Sequence, residues 1–546
     1  MRNQVRVFEA RRFLTMNPSV PNATHVAVQG GRILGYGTAE DMAAFGPTDT
    51  DTRFEGKVVL PGFVEGHSHL FEGLTWQDPY LGFFDRRGPD GHLWPGLRNI
   101  EAVVQRLEEV ERGMADPDAP LTAWGFDPIY FDGRRMVRAD LDRVSTRRPV
   151  VITHASGHIM NVNGVVLHRA GLTQSTDLDG LVRDAAGEPS GELLGPEAMG
   201  RVRRTVGGTS MERAIDPPAL RRFGSIAQLA GVTTAADLLN ELAPPTVAIY
   251  EQVTGEPGFP LRIVPALGAR FYGVEAGIAR WRELRQRGND KLHFGLVKLV
   301  VDGSIQGFTA RLRWPGYHNG APNGMWYVAP AELAGIVAAY HDAGAQLHIH
   351  TNGDEASEVA VEMIGRALQA TPRPDHRHTL QHCQMPDEAL YRRIKTLGIC
   401  CNIFTNHIFY WGDAHVALTM GPSRAARMDS CGTALRLGVD FAIHSDAPVT
   451  PLAPLFTAWC AVNRRTASGR VLGDAERIPV AAALRAITLG AAYTLRLDHL
   501  VGSIDVGKFA DFAVLDEDPL EADPAALKDI RVHATVVGGD VFPSPS

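Results

Sequence analysis

The sequence predicts an α/β fold with parallel strands, joined to a small β domain made from both ends of the chain. Three observations predict it. Short β-like runs alternate with amphipathic helical stretches through the middle of the chain, as is typical of parallel α/β structure. Both ends carry short strands and turns instead. Several of the middle strands end in histidine or aspartate, so we expect a polar site at one edge of the sheet.

Composition and charge are those of a soluble globular protein. Of 546 residues, 45% are hydrophobic and 21% charged. The formal net charge of -8 gives no basic surface for nucleic acid or anionic membrane. The N-terminus lacks the apolar core of a signal peptide, and no apolar run reaches transmembrane length. We therefore expect a cytoplasmic protein, a homodimer, that acts on a small molecule and binds neither nucleic acid nor membrane.

The two ends of the chain have the alternation of short strands. The N-terminal runs are QVRVFEA and THVAVQGGRILGYG, and the C-terminal ones are GSIDVGKFADFAVLDEDPL and IRVHATVVGGDVF. We expect residues 1–57 and 503–546 to meet in one composite β domain, with residues 58–502 forming the α/β domain.

The α/β domain begins with an irregular stretch after its first strand. Residues 71–150 are rich in Gly, Pro, Asp and aromatic residues, and we interpret them as a long insertion that forms a lid or a pocket wall. The strands expected in this domain read PVVITHASGH, GVTTAADLL, LRIVPAL, HFGLVKLVVDG, AQLHIHTNGD, HRHTLQHCQ, GICCNIF and VDFAIHSDAPV.

The stretch LPGFVEGHSHL places His67 and His69 on either side of a serine. In an extended strand these two side chains point the same way and Ser68 points the opposite way. Neutral imidazole nitrogens suit zinc and neighbouring transition metals. Alone the motif is weak, because two polar residues at a strand end can simply face water.

Three further strands end in side chains able to bind metal. His350 ends LHIH, His382 ends LQH, and Asp446 follows FAIHS. In a (β/α)8 barrel the carboxyl ends of the strands converge on the active site. Together with the HxH stretch, these residues predict a metal centre.

Lys298 lies inside the apolar strand GLVKLVVDGS. A buried lysine is unfavourable unless it is neutral or paired. It could snorkel or pair with Asp302. Alternatively, a neutral amine could react with carbon dioxide to give a carbamate, an anionic ligand able to bridge two cations.

The chain resembles the amidohydrolase superfamily, in the family 3 branch that includes N-substituted formamide deformylase. The matching segments, in order, are VVLPGFVEGHSHL, HASGHIMNVNGVVL, SGELLGPEAM, VKLVVDGSIQGFTA, HIHTNGDEA, LQHCQ, AIHSDAPVTPL and GSIDVGKFADFAVLDEDP. They cover nearly the whole chain.

The resemblance implies a (β/α)8 TIM-like barrel with a small β-sandwich domain formed from both termini. It implies one or two divalent metal ions per chain, most simply zinc, with a carboxylated Lys298 if there are two. The implied metal ligands are His67, His69, Lys298, His350, His382 and Asp446.

Other histidines receive different interpretations. His158 matches a family segment close to the pocket, so we expect it to contact substrate. His444 stands where relatives carry a small residue, and we interpret it, like His348, as a packed, hydrogen-bonded core histidine.

The reaction that we expect is hydrolysis of a C–N bond in an amide, an N-substituted formamide or a cyclic amide by a metal-activated hydroxide. Asp446 would move the proton and His382 would polarise the carbonyl. One alternative is a mononuclear aminohydrolase (deaminase) acting on a heterocyclic amine; such relatives carry a glutamate three residues after the strand-five histidine, where this chain has Gly353. The other is an inactive barrel scaffold, which the complete ligand set disfavours.

Overall fold

The structure is a computed structural model that describes residues 4–46, 48–131, 133–209 and 213–544. Its centre is an eight-stranded parallel sheet that curves into a nearly closed barrel. We number its strands 1 to 8 along the chain: Phe63–Ser68, Val232–Asn240, Arg262–Gly268, Leu296–Val300, Gln346–Thr351, Thr379–His382, Cys400–Ile403 and Phe441–Ile443. A bridge from Ser68 to Ala447 brings the ends of strands 1 and 8 together. The predicted α/β fold with a parallel barrel is confirmed.

Side chains along the barrel strands alternate between two environments. Leu347 and Ile349 of strand 5 pack outward in the main apolar core. His348 and His350 have the opposite parity and are buried inside the barrel. Lys298 lies in the same way between the core residues Val297 and Leu299 of strand 4. This alternation explains how a mostly apolar strand can place a polar side chain inside the barrel.

Helices cover the outside of the barrel. Between barrel strands 1 and 4 these helices include Pro217–Leu229, Pro244–Thr254 and Val274–Leu284. The later ones are Pro330–Asp342, Asp354–Ala370, Glu388–Leu397, Asn406–Ala414, Gly421–Ala425, Cys431–Arg436, Pro454–Asn463, Val480–Ala486 and Leu489–Thr494. Local signals set their ends: Asp387 caps Glu388–Leu397 by accepting from Leu390 N, and Gly398 ends it with a φ of 68°. None of the helices in the described ranges has the length and hydrophobicity of a transmembrane span.

Both ends of the chain join one seven-stranded sheet. Its spatial order is Asp540–Pro543, Val532–Val537, Phe512–Leu515, Asp49–Pro61, Arg6–Leu14, Asn22–Gln29 and Arg32–Gly37. The apolar side chains of these strands form a cluster of their own. A separate β-sandwich is not confirmed, because the strands form one continuous sheet.

The strand Asp49–Pro61 crosses the boundary that we expected between residues 57 and 58. Val58, Val59 and Leu60 pair antiparallel with the C-terminal strand, Leu60 opposite Ala513. The chain therefore passes from the terminal sheet to barrel strand 1 without an intervening linker. The division into residues 1–57 plus 503–546 and residues 58–502 stays a prediction.

The segment between barrel strands 1 and 2 is longer than the insertion at 71–150 expected from the sequence. It holds a five-stranded sheet in the order Leu181–Arg183, Pro189–Leu194, Ile159–Val162, Val150–His154 and Leu121–Phe126, and a pair Arg86–Arg87 with Leu93–Trp94. Its helices are Glu72–Thr75, Ile100–Gly113, Arg138–Asp142, Gly164–Arg169 and Gly195–Val206. The stretch PVVITHASGH is thus not a barrel strand, because Val150–His154 pairs antiparallel with Ile159–Val162 in this second sheet.

A buried ion pair ties barrel strand 3 to the C-terminal segment. Arg262 Nε and an Nη donate to the two carboxylate oxygens of Asp511 at 2.6 and 2.9 Å, and Gly538 N donates to Asp511 at 2.7 Å. Both side chains are 2% exposed. The pair therefore fixes the terminal sheet against the barrel.

We predict that Asp511→Asn lowers the free energy of unfolding by about 3–5 kcal/mol, because it leaves a buried guanidinium without its counter-charge. Glu256→Gln is the matched control, since the Arg221–Glu256 pair has the same two-bond geometry on the surface and water screens it. Urea unfolding of both variants checks this; equal small effects would contradict a fixing role for Asp511.

Candidate active site

The HxH histidines and the aspartate after strand 8 meet at the carboxyl end of the barrel. His67 Nε2 lies 3.2 Å and His69 Nε2 3.3 Å from the same oxygen, Asp446 Oδ1. Ser68 points away, and its hydroxyl donates to Ala236 O at 2.6 Å. The structure thus brings together three of the predicted ligands from the first and last barrel strands.

His382 and His350 continue this cluster. His382 Nδ1 lies 3.7 Å from Asp446 Oδ2. His382 Nε2 lies 2.9 Å from His350 Nδ1, and His350 Nε2 lies 3.2 Å from Gly303 O. His350 Nε2 also lies 3.1 Å from Asn352 Nδ2. His382 Nδ1 points toward Asp446 and forms no hydrogen bond within the described ranges.

Lys298 is buried beside these residues at 2% exposure. Its Nζ has no hydrogen-bond partner in the part of the chain that the structure describes, and burial lowers the pKa of the amine to about 7. Asp302, the alternative ion-pair partner, instead accepts from the backbone nitrogens of Arg311, Asn352 and Gly353. Lys298 is thus a buried amine that loses its charge near neutral pH.

The protonation states of the cluster are those that a metal ion requires. Burial holds the pKa values of His67, His350 and His382 well below the usual value, so these imidazoles are neutral. Burial alone would raise the pKa of Asp446, but the contact with His69 and the nearby basic groups His444 and Lys298 lower it. The site therefore offers neutral imidazoles and an ionised carboxylate.

The spacing also fits a metal ion. Two ligand atoms of a tetrahedral zinc ion, each about 2.0–2.1 Å from the metal, lie about 3.3 Å apart. The separations from Asp446 Oδ1 to His67 and His69 are 3.2 and 3.3 Å. His67, His69 and Asp446 form a group whose ligand atoms could hold one cation. In the described ranges His382 Nδ1 and Lys298 Nζ are buried beside it without hydrogen-bond partners, as expected of atoms that bind a further group.

Two polar residues that sequence reasoning missed orient the ligands. Gln381 Oε1 accepts from His67 Nδ1 at 2.7 Å, which leaves the Nε2 lone pair toward Asp446. Glu65 accepts from His67 N at 3.1 Å and from Ser445 Oγ at 2.7 Å, and burial raises its pKa to about 8. A signal existed, because Glu65 shares strand parity with His67 and His69 inside an apolar run.

His348 and His444 differ from each other. His348 is the hydrogen-bonded core histidine that we predicted, with Nε2 3.1 Å from Thr494 O and Nδ1 2.6 Å from Gln381 Nε2. For His444 the predicted hydrogen bonding is wrong, since neither ring nitrogen has a partner among the described residues. Its ring stacks on His67 at 4.6 Å and 12°. It groups with His67 and His382 as a possible ligand set, but near-parallel rings keep their in-plane lone pairs from meeting at one ion.

A cavity of about 460 Å³ opens above the cluster. His158 lines it from the turn between two strands of the insertion, with Nδ1 3.1 Å from Tyr327 Oη and its ring 5.8 Å from that of His350. Burial lowers the pKa of His158 to about 4, so its imidazole is neutral. Its contact with substrate stays a prediction.

Comparison with known proteins identifies the family. A sequence model of the amidohydrolase family matches residues 54–542. The chain belongs to the amidohydrolase family. The resemblance noted in the sequence is thereby confirmed, and hydrolysis becomes the class of reaction that the site has to explain.

This amidohydrolase is similar to relatives along nearly its whole length. LONG AFTER FAR-RED 3 from Arabidopsis thaliana is 28% identical over an alignment 550 residues long, gaps included, which covers 96% of this chain and 89% of that protein. N-substituted formamide deformylase from Arthrobacter pascens is 23% identical over 535 residues, 95% of this chain and 94% of that protein. The crystal structure of an uncharacterized metal-dependent hydrolase from Pyrococcus horikoshii has a TM-score of 0.71 at 20% identity, covering 95% of this chain and 99% of that one.

Proposed function

We propose that this amidohydrolase is a metal-dependent enzyme that hydrolyses a C–N bond in an amide, an N-substituted formamide or a cyclic amide. The observation that carries the proposal is that His67 Nε2 and His69 Nε2 both lie within 3.3 Å of Asp446 Oδ1, next to His382 and a buried Lys298. The similarity to a formamide deformylase supports the choice of bond.

Each part of the site has its own role in the proposed reaction. A divalent metal ion, most simply zinc, would lower the pKa of water and polarise the scissile carbonyl when bound here. Asp446, ionised and next to the histidines, accepts a proton from the attacking water and returns it to the departing nitrogen. His382 Nδ1, which forms no hydrogen bond in the described ranges, would serve as a ligand or, once protonated, would donate to the carbonyl oxygen.

Lys298 fits a second cation. Its neutral amine can add to carbon dioxide, forming one N–C bond and releasing one proton, to give a carbamate. The carbamate oxygens would supply an anionic ligand between two metal ions. The lowered pKa and the lack of a partner in the described residues support this chemistry.

The second candidate is a mononuclear aminohydrolase, favoured by the His67–His69–Asp446 group that could hold one ion alone. The position three residues after His350 is Gly353 and carries no acid. The next two residues do not replace it. Asp354 accepts from Arg313 N at 2.8 Å, and Glu355 pairs with Arg311 at 2.9 Å. Both carboxylates thus hold the loop after strand 4 and do not face the cluster.

The test is a hydrolysis screen of purified, metal-loaded enzyme against formamides, N-acyl amino acids, lactams, aryl amides and heterocyclic amines, with metal counted per chain. We expect turnover of amides and two metal ions per chain. Ammonia release from heterocyclic amines with one ion per chain would favour the aminohydrolase. Full metal content without any turnover would favour an inactive barrel.

A further inference from the structure

A second cavity lies next to the turn that carries His158. It has a volume of about 220 Å³ and is lined by residues of the insertion and of the loop after barrel strand 4. Ser156 lines both this cavity and the active-site cavity, and its Oγ accepts from His158 N at 3.3 Å. None of the predicted metal ligands lines the second cavity. The two spaces are therefore separate and share this turn as a wall.

A buried carboxylate lines the second cavity at the end of an insertion strand. Asp127 directly follows the strand Leu121–Phe126 and is 7% exposed. Its two oxygens accept from Ile129 N at 3.1 Å and from Trp411 Nε1 at 2.9 Å, which leaves each oxygen a second lone pair. Burial raises the pKa of Asp127 to about 6, so the carboxylate is mostly ionised at neutral pH.

A buried imidazole lies beside Asp127 on the neighbouring strand. His154 is paired with Phe126 in the insertion sheet and also lines the cavity. Asn161 Nδ2 donates to Met136 O at 2.9 Å, so that Asn161 Oδ1 accepts from His154 Nε2 at 2.5 Å. Burial lowers the pKa of His154 to about 3, so the ring is neutral. With the proton on Nε2, the Nδ1 of His154 can only accept.

The loop after barrel strand 4 supplies a third acceptor. Gln306 lines the cavity and is 5% exposed. Its Oε1 is buried without a hydrogen-bond partner in the part of the chain that the structure describes. A buried amide oxygen without a partner is unfavourable, so this atom indicates that a donor from outside the chain belongs in the cavity.

The charge of the second cavity is negative. Among its described lining residues, only Asp127 and Arg135 are charged. Arg135 Nε donates to the two carboxylate oxygens of Glu192 at 2.9 and 2.8 Å, so this pair is neutral as a whole. The negative charge of Asp127 is therefore left without a balancing cation, and the cavity favours a positively charged ligand.

We propose that this cavity binds a small primary ammonium ion, held by Asp127, His154 Nδ1 and Gln306 Oε1. A primary ammonium has three N–H donors, one for each of these acceptors. The rest of the lining includes apolar side chains that suit a short hydrocarbon chain, namely Ile129, Ile159, Phe308 and Leu418. The site lies apart from the histidine cluster, so the proposal does not depend on the proposed hydrolysis.

The test is calorimetric binding of n-butylamine, which is protonated at neutral pH, to the zinc-loaded full-length protein. Two ligands of similar size are compared with it: 1-butanol, which has no charge, and n-butyltrimethylammonium, which has a charge but no N–H donor. We expect both to bind at least about tenfold more weakly than n-butylamine, because each lacks charge-assisted hydrogen bonds. Equal binding of the three ligands, or no binding of n-butylamine, overturns the proposal.

Variants of the cavity locate the binding site. Gln306→Leu should weaken n-butylamine binding by about 10- to 100-fold, the effect of losing a hydrogen bond to a charged group, and Asp127→Asn supplies a second variant that removes the charge. The matched control is Gln384→Leu, because Gln384 is also buried without side-chain partners in the described ranges but does not line this cavity. It should bind n-butylamine as the wild type does. Wild-type affinity in both Gln306→Leu and Asp127→Asn overturns the proposal.

The double variant His67→Ala/His69→Ala separates this site from the metal centre. It should still bind n-butylamine with wild-type affinity, because neither histidine lines the second cavity. Retained binding supports the ammonium site even if no amide is hydrolysed. Loss of binding in this variant would place the amine at the histidine cluster and overturn the proposal.

Discussion

Replacing His67 and His69 together by alanine should remove the metal and reduce hydrolysis to background, while the barrel still folds. The two Nε2 atoms lie within 3.3 Å of Asp446 Oδ1, so the double variant loses both imidazoles from the group best placed to hold an ion. Asp446 alone cannot replace two imidazole ligands. The substitutions remove polar side chains at a strand end and leave the outer apolar core in place.

The measurements are metal content per chain, turnover and the thermal unfolding transition. Ser68→Ala is the control, because it changes the residue between the two histidines whose hydroxyl faces Ala236 O; it should keep its metal. Normal metal content and full activity in the double variant would show that the HxH stretch is not a ligand pair.

The convergence of the ligands was predictable because it follows from topology. Parallel strands that close into a barrel end at one rim, so His67, His350, His382 and Asp446 had to lie near one another once the barrel was recognised. Lys298 was predictable for a related reason, since strand parity places it inside the barrel. Local sequence and one topological rule were sufficient for this part of the site.

The insertion was not predictable from local sequence in the same way. Val150–His154 has the apolar, strand-forming composition of a barrel strand. What excludes it from the barrel is its antiparallel pairing with Ile159–Val162, a contact that strand composition does not encode. For the same reason, local sequence does not show that the strand Asp49–Pro61 continues past residue 57, since this continuation depends on the distant partner Phe512–Leu515.

The supporting residues were missed for a different physical reason. Gln381 orients His67 through the direction of its side chain, and a glutamine belongs to no metal-binding pattern. His444 was expected to find hydrogen-bond partners because most buried polar groups do, but stacking against His67 decides its environment. The cytoplasmic location and the homodimer stay predictions.

Asp446 is the residue for which we expect a separation of metal binding from catalysis. It is buried and ionised, with a lowered pKa. Asp446→Asn keeps the size and one oxygen ligand but removes the base, so turnover should fall at least about a hundredfold, the usual contribution of general base catalysis, while much of the metal remains. Asparagine also tolerates the backbone φ of 53° at this position. Asp446→Ala should lose both turnover and metal.

The opposing view makes Asp446 a turn or capping residue of the segment before the next helix. That helix is Pro454–Asn463, and its N-cap is Ala453 with no side-chain cap, so the Asp446 carboxylate does not cap it. If Asp446 were structural, asparagine would preserve the turn and leave activity nearly intact. Turnover and bound metal are therefore measured together for the asparagine variant, with Asp440→Asn as the control because Asp440 is exposed, 3.9 Å from Lys395. A large loss of turnover with retained metal in Asp446→Asn alone assigns the proton transfer to Asp446, and near-normal turnover removes it from the mechanism.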